Sequence, residues 1–181
     1  MSWSPSRYII VGKGASGKDW LLKKMVEKGC VSMKQYTTRP VRDTETGDEY
    51  HFVSEYEYKK MERRGDFISS NFYAIGWYGV SFYELMNSDV AILSPANVKD
   101  LYTKFRDTCE NSTIIYLDLP DDVRRERLEH RYLTRTDDSL ERRMEADEKD
   151  FKDFHLFDVR LTSVEEINNF INNFTRPSVG K

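Results

Sequence analysis

The sequence predicts an α/β domain in which a parallel sheet is covered by helices on both faces. Two observations support this prediction. Short apolar segments suited to buried strands alternate with longer, charged segments of helical periodicity. The first strand and the first helix are joined by the glycine-rich stretch GKGASGKD. The 181 residues are enough for one compact domain with a small inserted lobe.

The first unit is a strand, a loop and a helix. Residues 7–11 form a β-branched and aromatic run typical of a buried strand. Leu21 and Met25 recur at helical spacing after the glycine-rich stretch, and Gly29 stands where a helix would end. Residues 31–35 are predicted to form a second strand. The required order of strand, loop and helix is therefore present.

Residues 36–80 interrupt the alternation. Turn-forming residues at 44–48 precede two predicted strands at 49–53 and 67–73, with a charged helix at 55–64 between them. The segment is rich in aromatic residues and contains no long helical pattern. It predicts a structure inserted into the main sheet domain.

Alternation resumes after residue 89 and continues to the end of the pattern. Strands are predicted at 90–93, 113–117 and 156–161, and helices at 95–106, 121–130, 138–151 and 164–174. Strands that alternate with helices in this way form parallel sheets. We therefore expect the last helices to pack on the same sheet as the first.

Composition excludes several classes of protein. The net charge of −3 provides no global basic field for nucleic acid. Cys30 and Cys109 are far apart and the three histidines are scattered, so neither a zinc nor a redox motif is present. No segment has the apolar length of a membrane span, and the first residues do not form a signal peptide. We expect a soluble, cytoplasmic protein without membrane or nucleic-acid partners.

The glycine-rich stretch matches the phosphate-binding P-loop pattern G-x-x-x-x-G-K. Its glycines allow a tight turn whose N–H groups point at phosphate, beside the positive end of the next helix. The alternative is a glycine-rich turn without a ligand, which the intact strand-loop-helix context disfavours. The predicted nucleoside triphosphate site consists of Gly12, Lys13, Gly14, Ala15, Ser16, Gly17, Lys18 and Asp19.

Asp19 departs from the P-loop pattern, which has Ser or Thr at this position. A carboxylate there can hold Mg²⁺, directly or through water. Alternatively, Asp19 only stabilises the positive end of the helix or faces away from the site. The sequence leaves both interpretations open.

Two arginines and two tyrosines form a second group of candidate binding residues. Arginine is suited to bidentate phosphate recognition, and a tyrosine hydroxyl can donate to the same oxygens. Arg39, Arg42, Tyr50 and Tyr78 can therefore hold a second phosphate opposite the P-loop. Taken alone, these residues are better explained as surface arginines and half-buried tyrosines, which are common.

From the P-loop onward, the chain resembles the guanylate kinase family of nucleoside monophosphate kinases. The resemblance rests on GKGASGK, YTTRPVR, DEYHFVS, GDF, GWYG, RERLEHR and ERRM in this order, and covers residues 7–174. It implies a P-loop kinase fold with a core at 7–35 and 89–174, a monophosphate-binding lobe at 36–80 and a helical lid at about 131–143. By resemblance, Arg39, Arg42, Tyr50 and Tyr78 hold the phosphate of the acceptor.

Three positions depart from the residues that read guanine in that family. The motifs align Gln35, Ser69 and Val80 with a Ser, a Glu and a Ser or Thr. Ser69 cannot accept from both guanine N1–H and the exocyclic amine, whereas Gln35 suits the edge of a pyrimidine and Val80 can pack on a methyl group. Ser94 to Asn97 also replace an acidic segment of the family. We therefore expect a base other than guanine, such as that of a pyrimidine deoxynucleotide.

Arginines are frequent between residues 124 and 143. Most mixed charge on helices forms solvated faces with i,i+4 pairs. By resemblance, however, Arg131 and Arg143 correspond to lid arginines that stabilise the transferring phosphoryl group, with Arg135 a further candidate. Closure of such a lid would also exclude water.

These features together predict ATP- and Mg²⁺-dependent phosphorylation of a nucleoside monophosphate, with Lys18, Arg131 and Arg143 as catalytic residues. Three alternatives remain open: a guanylate kinase proper, a non-catalytic interaction module of the same fold, and a kinase acting on a base within DNA. The net charge disfavours the last. The oligomeric state is also open, with a homodimer as one expectation.

Overall fold

The computed structural model describes residues 7–42, 45–73, 76–104, 112–132 and 140–176, and of Arg7, Tyr73, Arg131 and Tyr132 only the backbone. The strands are β1 Arg7–Gly12, β2 Tyr36–Thr37, β3 His51–Phe52, β4 Phe67–Tyr73, β5 Gly76–Ser81, β6 Val90–Ile92, β7 Ser112–Leu117 and β8 Val159–Leu161. The helices are α1 Lys18–Glu27, α2 Glu55–Arg64, α3 Phe82–Met86, α4 Pro95–Lys104, α5 Asp121–Tyr132, α6 Leu140–Phe151 and α7 Val164–Asn173. Within these ranges, no helix is long and apolar enough to cross a membrane.

The first sheet is parallel throughout, in the order β6-β1-β7-β8. Alternate residues of β1 face opposite sides, so Ile9 and Val11 join one core and Ile10 joins the other. The first core also contains residues of α4 and α6, namely Val98, Leu101 and Phe151. The second contains residues of α1 and α7, namely Leu21, Met25, Ile167 and Ile171. The predicted parallel sheet with helices on both faces is confirmed.

Residues 36–81 contribute a second, mixed sheet in the order β3-β2-β5-β4. The sequence did not predict β5, which pairs antiparallel with both β2 and β4, nor the short helix α3. The two sheets share one apolar core, because Ile68 of β4 and Val80 of β5 pack in the same cluster as Ile9 and Val11. This common core places the second sheet beside the carboxyl ends of the first.

The predicted strand at 31–35 is wrong. Only Ser32 forms a bridge, with Val90, and the next strand begins at Tyr36. The chain passes here from the edge of the first sheet to the second, so neither sheet pairs with the intervening residues for long. Other bounds shift less: β8 begins at Val159 rather than 156, because the aromatic residues before it pack against the core without pairing.

Helix α2 illustrates how local chemistry determines an element. The Ser54 side chain accepts from the Glu57 amide, while the Glu57 carboxylate accepts from the Ser54 amide, which forms a capping box. Gly65 ends the helix with a φ of 77°, a left-handed conformation that favours glycine. The predicted bounds of 55–64 are confirmed. Helix α2 therefore packs at a fixed position behind β4.

Candidate active site

The glycine-rich stretch forms a tight loop between β1 and α1. Gly17 has a φ of 98° and Ala15 a φ of 59°, so the chain turns through left-handed conformations immediately before α1 begins. A Cβ on Gly12 would lie 2.5 Å from Ser16 Oγ and 2.8 Å from the Leu117 carbonyl oxygen. Glycine is therefore required where the loop leaves the sheet, and the P-loop geometry predicted from the sequence is present.

Lys18 lies across this loop. Its Nζ donates to the carbonyl oxygens of Gly12, at 2.7 Å, and Lys13, at 2.9 Å. Burial lowers the pKa of Lys18 to about 8, although the carboxylates of Asp19 and Asp147 oppose this change. The ammonium group is therefore mostly charged at neutral pH and lies against the carbonyl oxygens of the loop.

Asp19 is exposed in the first turn of α1 and lines a cleft of about 710 Å³. The cleft also contains four predicted substrate residues: Gln35, Arg39, Arg42 and Tyr50. Within the described part of the chain, no group of three or more His, Cys, Asp or Glu side chains could hold a metal ion. Asp19 offers a carboxylate oxygen in the first turn of α1, on the wall of this cleft, which fits a Mg²⁺ ion otherwise held by phosphates and water.

Arg39 is the most buried of the four predicted phosphate-binding residues, with 3% of its surface exposed. Its two terminal nitrogens donate to the Glu45 carboxylate, with Nη1 at 2.7 Å from Oε2. Burial alone would lower the pKa of Arg39, but the hydrogen bonds and charges of Glu45 and Tyr78 together outweigh burial and the pKa is raised. Arg39 Nε is buried and has no hydrogen-bond partner among the described residues. A buried, unpaired donor on a cation is a favourable contact for a phosphate oxygen.

Tyr50 and Tyr78 surround Arg39. The Arg39 Cζ atom lies 4.9 Å from the Tyr50 ring centroid, and the Tyr50 and Tyr78 centroids are 5.8 Å apart. Burial raises the pKa of Tyr50, so its hydroxyl remains a hydrogen-bond donor at neutral pH. Arg42 is exposed at the rim, where its amide donates to Glu45. The structure thus brings Arg39, Tyr50 and Tyr78 together, with Glu45 as an organising residue that the sequence did not identify.

The face of the second sheet that carries Tyr78 continues toward Ser69. The register pairs Ser69 with Val80 and Asn71 with Tyr78, and paired residues share a face. Val80 itself is fully buried in the apolar core and does not line the cleft around Arg39. Gln35 lines that cleft, and its amide nitrogen donates to the Ile92 carbonyl oxygen at 2.8 Å. Base recognition by these residues stays a prediction.

A polar cluster surrounds Ser69. Ser69 Oγ lies 2.7 Å from Asp100 Oδ2 and 3.0 Å from Asn97 Oδ1, and Asn71 Nδ2 donates to Asn97 Oδ1 at 2.8 Å. Asn97 and Asp100 belong to α4, which begins within the segment Ser94 to Asn97. Sequence reasoning missed Asp100, since nothing in the spacing of 31 residues indicates that it meets Ser69. The cluster nevertheless places the Asp100 carboxylate beside Ser69, where β4 itself provides only a hydroxyl.

The two lid arginines are described to different extents. Arg131 lies in the last turn of α5, but its side chain and all of Arg135 fall outside the described residues. Arg143 of α6 lies over the P-loop, because its Nε would be 3.1 Å from a Cβ on Gly14. Of the predicted catalytic arginines, Arg143 is therefore seen beside the phosphate-binding loop.

A second cleft, of about 310 Å³, opens on the other side of the P-loop. Trp20 of α1 is 42% exposed at its wall, and Arg127 donates to the Ala15 carbonyl oxygen at 3.0 Å. The remaining lining residues are Ser16, Gly17, Val164, Ile167 and Asn168. A cleft that combines an aromatic ring with polar groups beside a P-loop suits the base of a nucleoside triphosphate.

The fold and the site define a nucleoside monophosphate kinase of the P-loop class: a lysine-bearing loop on a parallel sheet faces an arginine–tyrosine cleft on an inserted sheet. The family model described as guanylate kinase matches residues 4–175, and the chain belongs to this family. It is a phosphotransferase, as the resemblance implied.

Two curated relatives and one solved structure agree with this assignment. The chain is 27% identical to the guanylate kinase of Sulfurimonas denitrificans over 162 residues, which cover 86% of this chain and 78% of the relative. It is 28% identical to that of Chlorobium luteolum over 145 residues, 76% and 73% of the two chains. The crystal structure of guanylate kinase from Anaplasma phagocytophilum matches with a TM-score of 0.66 and 16% identity, over 95% of this chain and 83% of that one. This last match supports the fold.

Proposed function

We propose that this chain transfers the γ-phosphoryl group of ATP to a guanine nucleoside monophosphate. The named relatives are guanylate kinases, which favours guanine over the different base that Gln35, Ser69 and Val80 led us to expect. The sequence argument depended on the absence of a carboxylate at Ser69. The polar cluster around Ser69 changes that argument.

The Asp100 carboxylate beside Ser69 is the observation that carries this proposal. Guanine presents two neighbouring donors, N1–H and the exocyclic amine, and a carboxylate can accept from both. Ser69 is two residues before Asn71, which pairs with Tyr78. The proposed base contact beside Ser69 is therefore about 7 Å along the strand from the proposed phosphate contact of Tyr78. Asp100 from α4 thus supplies the acceptor that β4 does not contain.

On the acceptor side, Arg39 and Tyr50 bind the monophosphate. The guanidinium of Arg39 contacts a phosphate oxygen, while Glu45 holds its two terminal nitrogens and fixes its plane. Arg42 contributes from the rim, and Tyr78 donates beside Tyr50. The monophosphate is already an anion near neutral pH, so its oxygen needs no general base before it attacks.

On the donor side, Lys18 binds the β- and γ-phosphates and Trp20 contacts the base of ATP. Magnesium, when bound with ATP, would be held by Asp19 and would offset the charge on the transferring phosphates. Lys18 and Arg143 stabilise the charge that spreads over the phosphoryl oxygens, and Arg131 joins them when the lid closes. Catalysis then consists of positioning and electrostatic stabilisation.

Steady-state assays with a panel of monophosphates test this proposal. We expect turnover with GMP and dGMP, slower turnover with IMP, which lacks the exocyclic amine, and none with UMP, dTMP or AMP. Turnover restricted to pyrimidine nucleotides would overturn the assignment of guanine. No turnover with any monophosphate would overturn the assignment of these kinase substrates.

Asp100→Asn tests the base contact directly. We expect kcat/KM for GMP to fall roughly 10- to 100-fold, since a hydrogen bond to a charged group is lost, while the KM for ATP stays constant. The kcat/KM for IMP should fall less than that for GMP, because IMP lacks one of the two donors that Asp100 accepts from. Asp153→Asn is the matched control, since Asp153 is an exposed aspartate outside the cleft. Equal losses for GMP and IMP would contradict recognition of the amine by Asp100.

A further inference from the structure

A buried ion pair connects helices α5 and α6. Arg124 of α5 is 1% exposed and Asp147 of α6 is 5% exposed, and Arg124 Nη2 donates to Asp147 Oδ2. Sequence patterning placed Arg124 among the arginines of a solvated helix face, and it drew no attention to Asp147. Neither residue touches the clefts described above. A separate reason is needed for burying these two charges.

Both members of this ion pair form hydrogen bonds with a single residue of the P-loop, Gly14. The Gly14 amide donates to Asp147 Oδ2 at 2.7 Å, and the Gly14 carbonyl oxygen accepts from Arg124 Nε at 3.0 Å. The peptide group that contains the Gly14 amide also contains the Lys13 carbonyl, which accepts from Lys18. Lys18 and Asp147 therefore hold the same peptide group from its two ends. Its orientation is fixed before any phosphate binds.

Asp147 also reaches a predicted catalytic residue. Its second oxygen, Oδ1, lies 3.4 Å from Nε of Arg143, one helical turn earlier on α6. Gly14 leaves no space for a side chain here, because a Cβ would be 2.9 Å from Asp147 Oδ2 and 3.1 Å from Arg143 Nε. The carboxylate is thus shared between the loop backbone and the lid arginine.

We propose that Arg124 and Asp147 are positioning residues that keep the P-loop in its binding conformation and Arg143 over it. This inference rests on the proposed function in one respect, that the loop binds the triphosphate of ATP. A buried ion pair can often be replaced by apolar residues of similar size without loss of stability. Here the charged groups are directed at the backbone of the loop, which apolar residues cannot hold.

A variant without the charge of Asp147 tests the proposal, because Asp147 can affect ATP binding in two opposite ways. Its charge repels the phosphates, whereas its hydrogen bonds hold the loop that binds them. A carboxylate beside a polyphosphate site repels the ligand, so removing its charge would tighten binding if repulsion were its main effect. If Asp147 instead positions the loop, Asp147→Asn weakens binding. The Asn oxygen can still accept from Gly14 and Arg124, but the negative charge that holds both arginines is lost, and the amide nitrogen would face the Arg143 Nε donor.

The first measurement is the Kd of MgATP by titration calorimetry for the whole chain. We expect Asp147→Asn to raise this Kd at least tenfold, with less than a twofold change in the Kd of GMP. Asp150→Asn, the same charge change at an exposed position of α6, should leave both within twofold. Unchanged or tighter MgATP binding by a folded Asp147→Asn variant would overturn the proposal.

The second variant is the double replacement Arg124→Met with Asp147→Leu, which remains informative if Asp147→Asn does not fold. It removes both charges and keeps side-chain volume, so no buried charge is left unpaired and the fold should persist, with a Tm lowered by the Gly14 amide and carbonyl groups that lose their partners. We expect MgATP binding to be at least tenfold weaker in this folded variant. Recovery of wild-type binding would show that the pair only fills space, and would overturn the positioning role.

The Gly14 amide gives a spectroscopic readout that is independent of activity. Its proton donates to a carboxylate in the wild type, so we expect a downfield shift that moves upfield in the double variant while Gly47, in a loop of the other sheet, is unchanged. An unshifted Gly14 resonance would contradict the contact. Wild-type MgATP binding without turnover of any monophosphate would overturn the proposed function and leave these tests intact, whereas absence of MgATP binding would overturn both.

Discussion

Lys18 shows how one residue links the backbone of the loop to the reaction. Its hydrogen bonds to the Gly12 and Lys13 carbonyl oxygens fix the ammonium over the loop, and burial lowers its pKa to about 8. The charged form is the one that binds phosphate. Activity should therefore depend on pH in a range where ordinary lysines do not titrate.

We predict that kcat/KM for ATP falls as the pH rises above about 8, by about tenfold per pH unit once the pH is well above this value. This parameter reports the free enzyme, whose Lys18 loses its proton there. The pKa is lower in the folded than in the unfolded chain, so Lys18 itself adds stability as the pH rises from 8 toward 10.5. Unfolding of this origin is therefore not expected in that window.

The control is Lys18→Met, which should lower kcat on the order of a thousandfold and remove the pH dependence near 8. A pH–rate profile for the wild type and the variant checks the pH dependence of kcat/KM. The Tm, followed by circular dichroism at each pH, checks that the protein stays folded. An unchanged fall of kcat/KM in the variant would assign the titration to another group.

Arg39 allows a second prediction at this scale, based on its geometry rather than its charge. Arg39→Lys keeps the positive charge but loses the fork that Glu45 orients. We expect the KM for GMP to rise roughly 10- to 100-fold with the KM for ATP unchanged. Arg64→Lys is the matched control, since Arg64 is an exposed arginine that pairs with Asp66. Equal increases in both KM values would contradict a specific role at the acceptor.

Elements with strong local signals were predictable from the sequence. Helix α2 has its capping box and terminal glycine, and β4 has its aromatic and β-branched run, so both sets of bounds are confirmed. Strand β5 was missed because Gly76 and Gly79 weaken a strand pattern. Gly79 is nonetheless required in the sheet, since a Cβ there would lie 2.7 Å from the Phe67 ring. That requirement is tertiary and leaves no periodic signal.

The cap of α2 supports a prediction of stability. Ser54→Ala removes the acceptor of the Glu57 amide and should cost about 1 kcal/mol, which lowers Tm by roughly 2–4 °C in a chain of this size. Ser54→Asp keeps an oxygen acceptor at the cap and should retain the wild-type Tm. Calorimetric unfolding of the three proteins makes the comparison. A wild-type Tm in Ser54→Ala would mean that packing of Tyr58, not the cap, determines the position of this helix.

At the scale of the whole molecule, the sequence predicted residues that act within one motif and missed those that meet across motifs. Lys18, Arg39 and Tyr50 carry recognisable patterns, and the structure places all of them at the clefts or the loop. Asp100 and Asp147 carry none. Each becomes informative only when a distant helix packs beside a strand or a loop, which no local pattern encodes. The expectation of a base other than guanine was drawn from Gln35, Ser69 and Val80, so it took no account of a carboxylate that α4 places beside Ser69.

The rise in Tm that a bound nucleotide causes tests the acceptor site as a whole, because it reports all contacts to the nucleotide together. A ligand at one hundred times its Kd stabilises the folded state by about 2.7 kcal/mol, which should raise Tm by roughly 5–10 °C. We expect this shift with GMP, a smaller one with IMP at the same concentration, and the smallest with AMP, which keeps the phosphate but lacks the donors that Asp100 accepts from. Because IMP and GMP differ only by the amine, their difference should vanish in Asp100→Asn while the effect of the phosphate persists. A GMP–IMP difference that survives this substitution would assign the recognition of the amine to a residue other than Asp100.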